Sequence, residues 1–548
     1  VSFGNESTYL FNKLKKYVDL DYYNSKDYNL LYEKTKYDGI VISYHGSSSS
    51  PYASNIIPKN ISEVIEKIGK NNNVILTLFL NPYSLNSFEK IDNFNSIIVG
   101  YQNNMISQEI MADLLTGIRS FKGKLPVSNN FYPVNHGISI DKNNTLGYSR
   151  PAYEGFDQKK LSYLDSIAIS AIDSMMAPGI QMLVSKKGKI IYNKSFGYHT
   201  YKKLNKLEND HVFDLSSITK ILATMPLVIQ EYDSGNLSLN TRLNQLFPKR
   251  KLADKGEITL KEMLSHYARL RPWIPFYEET LNRKEKPRTR FYKTSSRSSF
   301  STPVTENLYL KRNYKDKIFK SIVESDLIEK LEFKYSDLPF YFLKFWFEDI
   351  YNKPLDLIAE ERIFNKLQLE RTMFNPYKKL NLDEIVPTEE DDFFRYSKLH
   401  GYVHDEGAAM LGGVSGHAGL FSNSYEVAVI LQAMIQGGLY NNQRLFESES
   451  LDVFNTCYYC EFDNRSGVGF DKPQIEGNHG STFGGVSMNS FGHYGYTGSM
   501  AWADPDEEII FVFLSNRTFP TRENTLLQTS NIRTRSQEIV YKALIDIR

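Results

Sequence analysis

A serine and a lysine three residues apart, in Ser217-Ile218-Thr219-Lys220, carry the clearest chemical signal in this chain. At the head of a helix two such side chains lie about 5 to 6 Å apart on one face, where the amine can take or hold the hydroxyl proton. An activated serine nucleophile needs that arrangement. Alone, the pair also fits a serine helix cap followed by a solvated lysine. Two downstream stretches supply what acyl transfer further requires. Phe333-Lys334-Tyr335-Ser336-Asp337 sets a phenol and a carboxylate two residues apart. A phenol held beside an ammonium loses its proton more easily and can act as a general base. Gly492-His493-Tyr494-Gly495-Tyr496-Thr497-Gly498 puts glycines where a substrate can approach the backbone closely.

The elements that must position these groups are legible around them. Val212, Phe213 and Leu215 form a strand-like run that ends at the serine. Ile221, Leu222, Met225, Leu227, Val228 and Ile229 are apolar on more than one face, which predicts a buried central helix with Gly235 as its stop. The free N–H groups at its head favour negative charge beside Ser217. Tyr335 falls in a short loop ahead of the apolar run Leu338 to Trp346. Past the glycine-rich stretch, Met500-Ala501-Trp502-Ala503, the turn Asp504-Pro505-Asp506 and Ile509 to Leu514 read as a hairpin beside an edge strand.

In this order the motifs resemble the serine β-lactamase and penicillin-binding protein superfamily, in its class C-like branch and its penicillin-binding protein 4B type. Val403-His404-Asp405-Glu406, Gly412-Gly413-Val414-Ser415-Gly416-His417-Ala418-Gly419-Leu420-Phe421 and Trp502-Ala503-Asp504-Pro505 add to the likeness. The resemblance covers residues 161–548. It implies an α+β domain with an antiparallel sheet flanked by helices and an all-helical part. It also implies a covalent acyl-enzyme on Ser217, with Lys220, Tyr335, Asp337 and His493 as catalytic residues. The Ser217 and Tyr496 N–H groups would form the oxyanion hole, and Tyr494, Gly495 and Thr497 would line the substrate. Three positions depart from the family pattern: Asp337 replaces an asparagine, His493 a lysine and Tyr494 a threonine. Loss of the fixed lysine charge weakens the grip on a substrate carboxylate, so an esterase or D-Ala-D-Ala carboxypeptidase is expected before an efficient β-lactamase. The rival expectation is a catalytically silent binding or scaffold domain.

Residues 1–135 have another texture. Asp38 to Ser43, Val74 to Leu80 and Ser96 to Tyr101 read as buried parallel strands, with helices over Ile61 to Ile68 and Gln108 to Phe121. With Asn81-Pro82-Tyr83-Ser84-Leu85, Tyr101-Gln102 and Gly123-Lys124-Leu125-Pro126-Val127-Ser128, the segment resembles the C-terminal α/β domain of family 3 glycoside hydrolases. No carboxylate pair suited to glycoside cleavage stands out. The resemblance therefore implies a non-catalytic domain or the accessory tail of a β-N-acetylglucosaminidase. A start at Val1, without Met or signal segment, fits a processed or excised fragment. Residues 136–160 are polar and glycine-punctuated, as a linker is. Glu285 to Thr305, dense in Lys, Arg, Ser and Thr, predicts an irregular excursion at the mouth of the site. Trp273, in Trp273-Ile274-Pro275-Phe276-Tyr277, is a candidate aromatic wall for a sugar or peptide.

A formal charge of +1, from 65 basic and 64 acidic residues, argues against a nucleic-acid surface. Apolar runs of about seven residues fall short of the roughly 20 that span a bilayer. Cys457 and Cys460 lack a second pair for zinc and a thioredoxin-like context, so they read as incidental thiols or a local disulfide. His404 and His417, set among small residues, read as structural. Neither a cofactor nor a metal is expected. The expected partner is a peptidoglycan fragment or small acyl substrate, and the expected location the bacterial envelope, in the periplasm.

Overall fold

A computed structural model describes residues 1–4, 8–24, 26–32, 37–46, 56–474 and 480–545. The chain divides into two compact units, Val1–Tyr148 and Ser149–Arg548. The first is built on a parallel sheet in the order β1 (Ser2–Gly4), β2 (Ile40–His45), β3 (Val74–Phe79) and β4 (Ser96–Val99). Ile42, Leu76 and Leu78 are fully buried, and α1 (Lys59–Asn71) adds Ile65 and Ile68 to the same core. Continuous apolar strands of this kind need cover on both faces. Strand β1 was not anticipated, because three residues carry no periodicity and their partner lies some forty positions away. The helix expected from Gln108 to Phe121 is α2, Met105–Leu115.

In the second unit an antiparallel sheet runs β8 (Phe491–Tyr494), β9 (Met500–Asp504), β10 (Ile509–Ser515), β5 (Gly179–Lys186) and β6 (Lys189–Gly197). Side chains alternate across it. Ile180, Met182 and Val184 of β5, with Phe511 and Phe513, pack beneath α3 (Tyr163–Asp173) and α7 (Ile532–Lys542). Gln181 points to the other face, where its Oε1 accepts the N–H of Ser424 at 3.0 Å and so anchors α6 (Ser424–Ile435). Two further helices, α4 (Met225–Asp233) and α5 (Leu338–Tyr351), are buried along their N-terminal parts, to Glu231 and Phe347. This matches the expected α+β layout.

The stretch from Glu285 to Thr305 is more ordered than its composition suggests. Tyr292–Lys293, Thr302–Thr305 and Leu308–Leu310 pair into a small antiparallel sheet, and Tyr292, Val304 and Leu310 are its buried anchors. Three apolar residues scattered among polar ones leave no readable period, which is why the sequence predicts an irregular loop there. Cys457 and Cys460 are joined as a disulfide. No described helix is long and apolar enough to cross a membrane.

Candidate active site

Ser217 sits where a short strand, β7 (Phe213–Asp214), turns into a helix through a 3-10 turn at Ser216–Ile218 and a π turn at Lys220–Thr224. Single π turns concentrate at functional sites. The expected central helix is therefore composite, and its regular part is α4; Gly235, at φ 74°, ends it as anticipated. Ser216, directly before the nucleophile, is held at φ 46°. A non-glycine residue there is strained by about 1 to 3 kcal/mol and persists only when its surroundings fix it. They do so here. Its N–H donates to Asp214 Oδ1 at 2.8 Å, and its hydroxyl meets Thr497 Oγ1 at 3.3 Å. Thr497 in turn donates to the Asp214 carbonyl at 2.9 Å. The buried Asp214 is held from the other side by the His404 N–H at 2.6 Å.

The three side chains singled out for catalysis meet. Lys220 Nζ lies 2.8 Å from Ser217 Oγ and 2.6 Å from Tyr335 OH, and Tyr335 OH lies 3.1 Å from Ser217 Oγ. Lys220 is fully buried, whereas Ser217 and Tyr335 keep partial exposure. Asp337 closes the group with Oδ1 2.7 Å from Lys220 Nζ. The His417 carbonyl adds a longer contact to the same amine at 3.5 Å. Tyr335 reaches the triangle from the loop before α5, whose N–H at Asp337 is tied to the Pro272 carbonyl at 2.9 Å.

The electrostatics correct one expectation. The Lys220 ammonium was expected to ease proton loss from Tyr335. Instead burial, reinforced by the Asp337 carboxylate, raises the phenol well above its usual value, and the Ser217 hydrogen bond offsets only part of this. Two imidazoles flank the phenol. His266, 4.7 Å away between ring centres, is pushed down to about 3, chiefly by burial. His493, 5.8 Å away, is lowered by burial; the Asp471 carboxylate opposes this and Lys220 adds to it. Its Nδ1 pairs with the Tyr494 carbonyl at 2.7 Å. Neither ring supplies a cation at neutral pH.

Not every candidate joins the triangle. The Tyr494 ring packs on the core below α7, 4.2 Å from the Arg533 guanidinium, with its hydroxyl on the Ser481 carbonyl. Thr497 is buried and spends its hydroxyl on the nucleophile turn. Gly495 lies where a Cβ would come within 2.7 Å of the Leu215 carbonyl, so β8 abuts the turn that carries Ser217. Among the described residues neither the Ser217 nor the Tyr496 N–H donates to a protein acceptor. The Tyr496 carbonyl is fixed by Arg517, through Nε at 3.0 Å and Nη2 at 2.6 Å. Trp273 stands exposed on the segment beside the Tyr335 loop. His417 and His404 hold structure: His417 bridges Asp405 and Ser415 at 2.9 Å each, and His404 contacts Glu389 at 3.2 Å. Sequence reasoning missed Asp214, Ser216 and His266. An acidic residue three positions before the serine was the available signal for the first. Among the described residues no group of His, Cys, Asp and Glu is arranged to hold a metal.

A family model described as Beta-lactamase matches residues 168–531. The chain belongs to the beta-lactamase and penicillin-binding protein superfamily. This superfamily member is 30% identical over 406 residues to a Salmonella enteritidis PT4 protein named "Putative D-alanyl-D-alanine carboxypeptidase", covering 68% of this chain and 86% of that one. A Salmonella typhi protein of the same name is as similar. Two solved structures share the superfamily fold at a TM-score of 0.50. EstCE1, described as a hydrolase with promiscuous acyltransferase activity, is 18% identical, with 70% of this chain and 99% of that chain covered. The octameric penicillin-binding protein homologue from Pyrococcus abyssi is 16% identical, with 71% and 78% covered.

Proposed function

We propose that the chain is a serine hydrolase that cleaves an amide or ester through an acyl-enzyme on Ser217, acting on a peptidoglycan-related substrate in the bacterial envelope. The observation that carries this reading is the mutual contact of Ser217, Lys220 and Tyr335 at 2.6 to 3.1 Å. As arranged, Lys220 and Tyr335 both donate to Ser217 Oγ, so the pair must give up one proton before it can take the serine's. Ser217 Oγ then attacks the carbonyl carbon while the Lys220–Tyr335 pair receives its proton. That proton passes to the leaving group, and water later releases the acyl group by the reverse path. The free Ser217 and Tyr496 N–H groups would receive the oxyanion, and losing one such donor costs about 3 to 4 kcal/mol of transition-state stabilisation.

The kinship with proteins named as D-alanyl-D-alanine carboxypeptidases supports a peptide-stem donor. The neutral His493 favours donors whose leaving side carries no carboxylate, so ester turnover should exceed carboxypeptidase turnover. The class C-like, penicillin-binding protein 4B type assignment and the glycoside hydrolase-like accessory role of the first unit belong to the same proposal. Rates on a p-nitrophenyl ester, a D-Ala-D-Ala peptide and nitrocefin test it. The expected order is ester, then peptide, then nitrocefin, and fastest turnover of nitrocefin would overturn it.

A further inference from the structure

A shallow cavity of about 300 Å³ opens beside the Tyr335 loop, lined by Arg271, Pro272, Trp273, Asp326, Leu327 and Ile328. Its size is at the lower end of small-ligand sites. Both walls are built. On one side the Ser336 hydroxyl donates to the Arg271 carbonyl at 2.6 Å and the Asp337 N–H to the Pro272 carbonyl at 2.9 Å, which ties the wall to the loop carrying Tyr335. On the other, the Ile328 N–H donates to the Arg269 carbonyl at 2.7 Å, and Arg269 Nε donates back to the Ile328 carbonyl at 2.6 Å.

Trp273 is 56% exposed, against 6% for Trp346 and 1% for Trp502. Next to it Arg271 Nη2 meets Asp326 Oδ2 at 3.1 Å, in a pair open to solvent. An exposed pair of this kind contributes little to stability, yet it presents planar donors and an acceptor beside an uncovered indole. A pyranose has the complementary chemistry: one apolar C–H face to stack on an aromatic ring, and a rim of vicinal hydroxyls for a guanidinium and a carboxylate. We propose that this cavity is a saccharide subsite that holds a pyranose unit attached to the acyl donor. It deepens, and rests on, the reading of the substrate as peptidoglycan-related, because such a donor brings sugar and scissile bond together.

Indole fluorescence tests it directly, since Trp273 is exposed and the other two of the three tryptophans are buried. Titration of the full-length Ser217→Ala protein with an N-acetylglucosamine trimer should give a saturable emission change, and the same protein also carrying Trp273→Leu should give none. With Ser217 intact, kcat/KM is compared for a disaccharide-bearing muropeptide and for its bare stem peptide. In Trp273→Leu, and in Asp326→Asn, the ratio of the two should fall about three- to tenfold. No saturable change with the trimer, an unaltered ratio, or a change produced by bare peptide alone would overturn the subsite. Saturable trimer binding with neither peptide turned over would uphold the subsite and instead refute the acyl-donor reading.

Discussion

At the scale of single residues the decisive feature is Asp337. Where the family pattern has an amide, this chain sets a carboxylate 2.7 Å from Lys220 and close enough to Tyr335 to raise its phenol. A nearby negative charge disfavours phenolate, so it holds the phenol proton on the pair that must accept one from Ser217. The active form should therefore appear only as pH rises. In Asp337→Asn the charge is gone while burial stays, and the rising limb of kcat/KM against pH should move down by about 1 to 3 units. Because Lys220 and Tyr335 are in contact, the limb reports the pair rather than either group. A pH–rate comparison of the two proteins on one ester checks this; an unmoved limb would show that Asp337 does not set the proton balance.

At the scale of elements, catalysis depends on how closely β8 approaches the turn that carries Ser217. Gly495 is the point of contact, with room for no side chain before the Leu215 carbonyl. Gly495→Ala should force strand and turn apart, at about 1 to 3 kcal/mol of stability, and should slow ester turnover far more than that loss of stability alone explains. Thermal unfolding alongside kcat measures both, and a variant with full kcat would show that the approach is not needed. Much of this arrangement was legible in the chain. Ser217, Lys220, Tyr335 and the strands from Phe491 to Ser515 announce themselves through spacing, a loop before an apolar helix, and glycines before a hairpin. The strained Ser216 was not legible, because its partner Thr497 lies 281 positions further along the chain. His266 was not legible either, since a lone histidine between Ser265 and Tyr267 carries no pattern until folding sets it against Tyr335.

At the scale of the whole second unit, partly buried ion pairs join segments distant in sequence. Arg522 reaches both oxygens of Glu389 at 2.7 Å and Glu406 at 2.7 Å. Although burial alone would raise it, Arg522 and His404 hold the Glu389 carboxyl well below its usual range. A carboxylate whose folded pKa is depressed adds stability above its unfolded value, near 4.3, and loses it as pH falls toward the folded value. Arg522→Gln removes one of the two partners, leaves buried Glu389 with His404 alone at 3.2 Å, and should cost about 1 to 3 kcal/mol at pH 7. The gap between wild type and variant should narrow from pH 5 downward, as seen in unfolding midpoints measured across that range. A gap independent of pH would place the contribution of Arg522 in packing alone.

The central claim, that Ser217 is an activated nucleophile, is tested most directly by covalent labelling. Wild-type protein incubated with a fluorophosphonate and digested for mass spectrometry should carry one adduct, on the peptide containing Ser217, and Ser217→Ala should carry none. An unlabelled wild type, or a variant labelled to the same extent, would contradict the account.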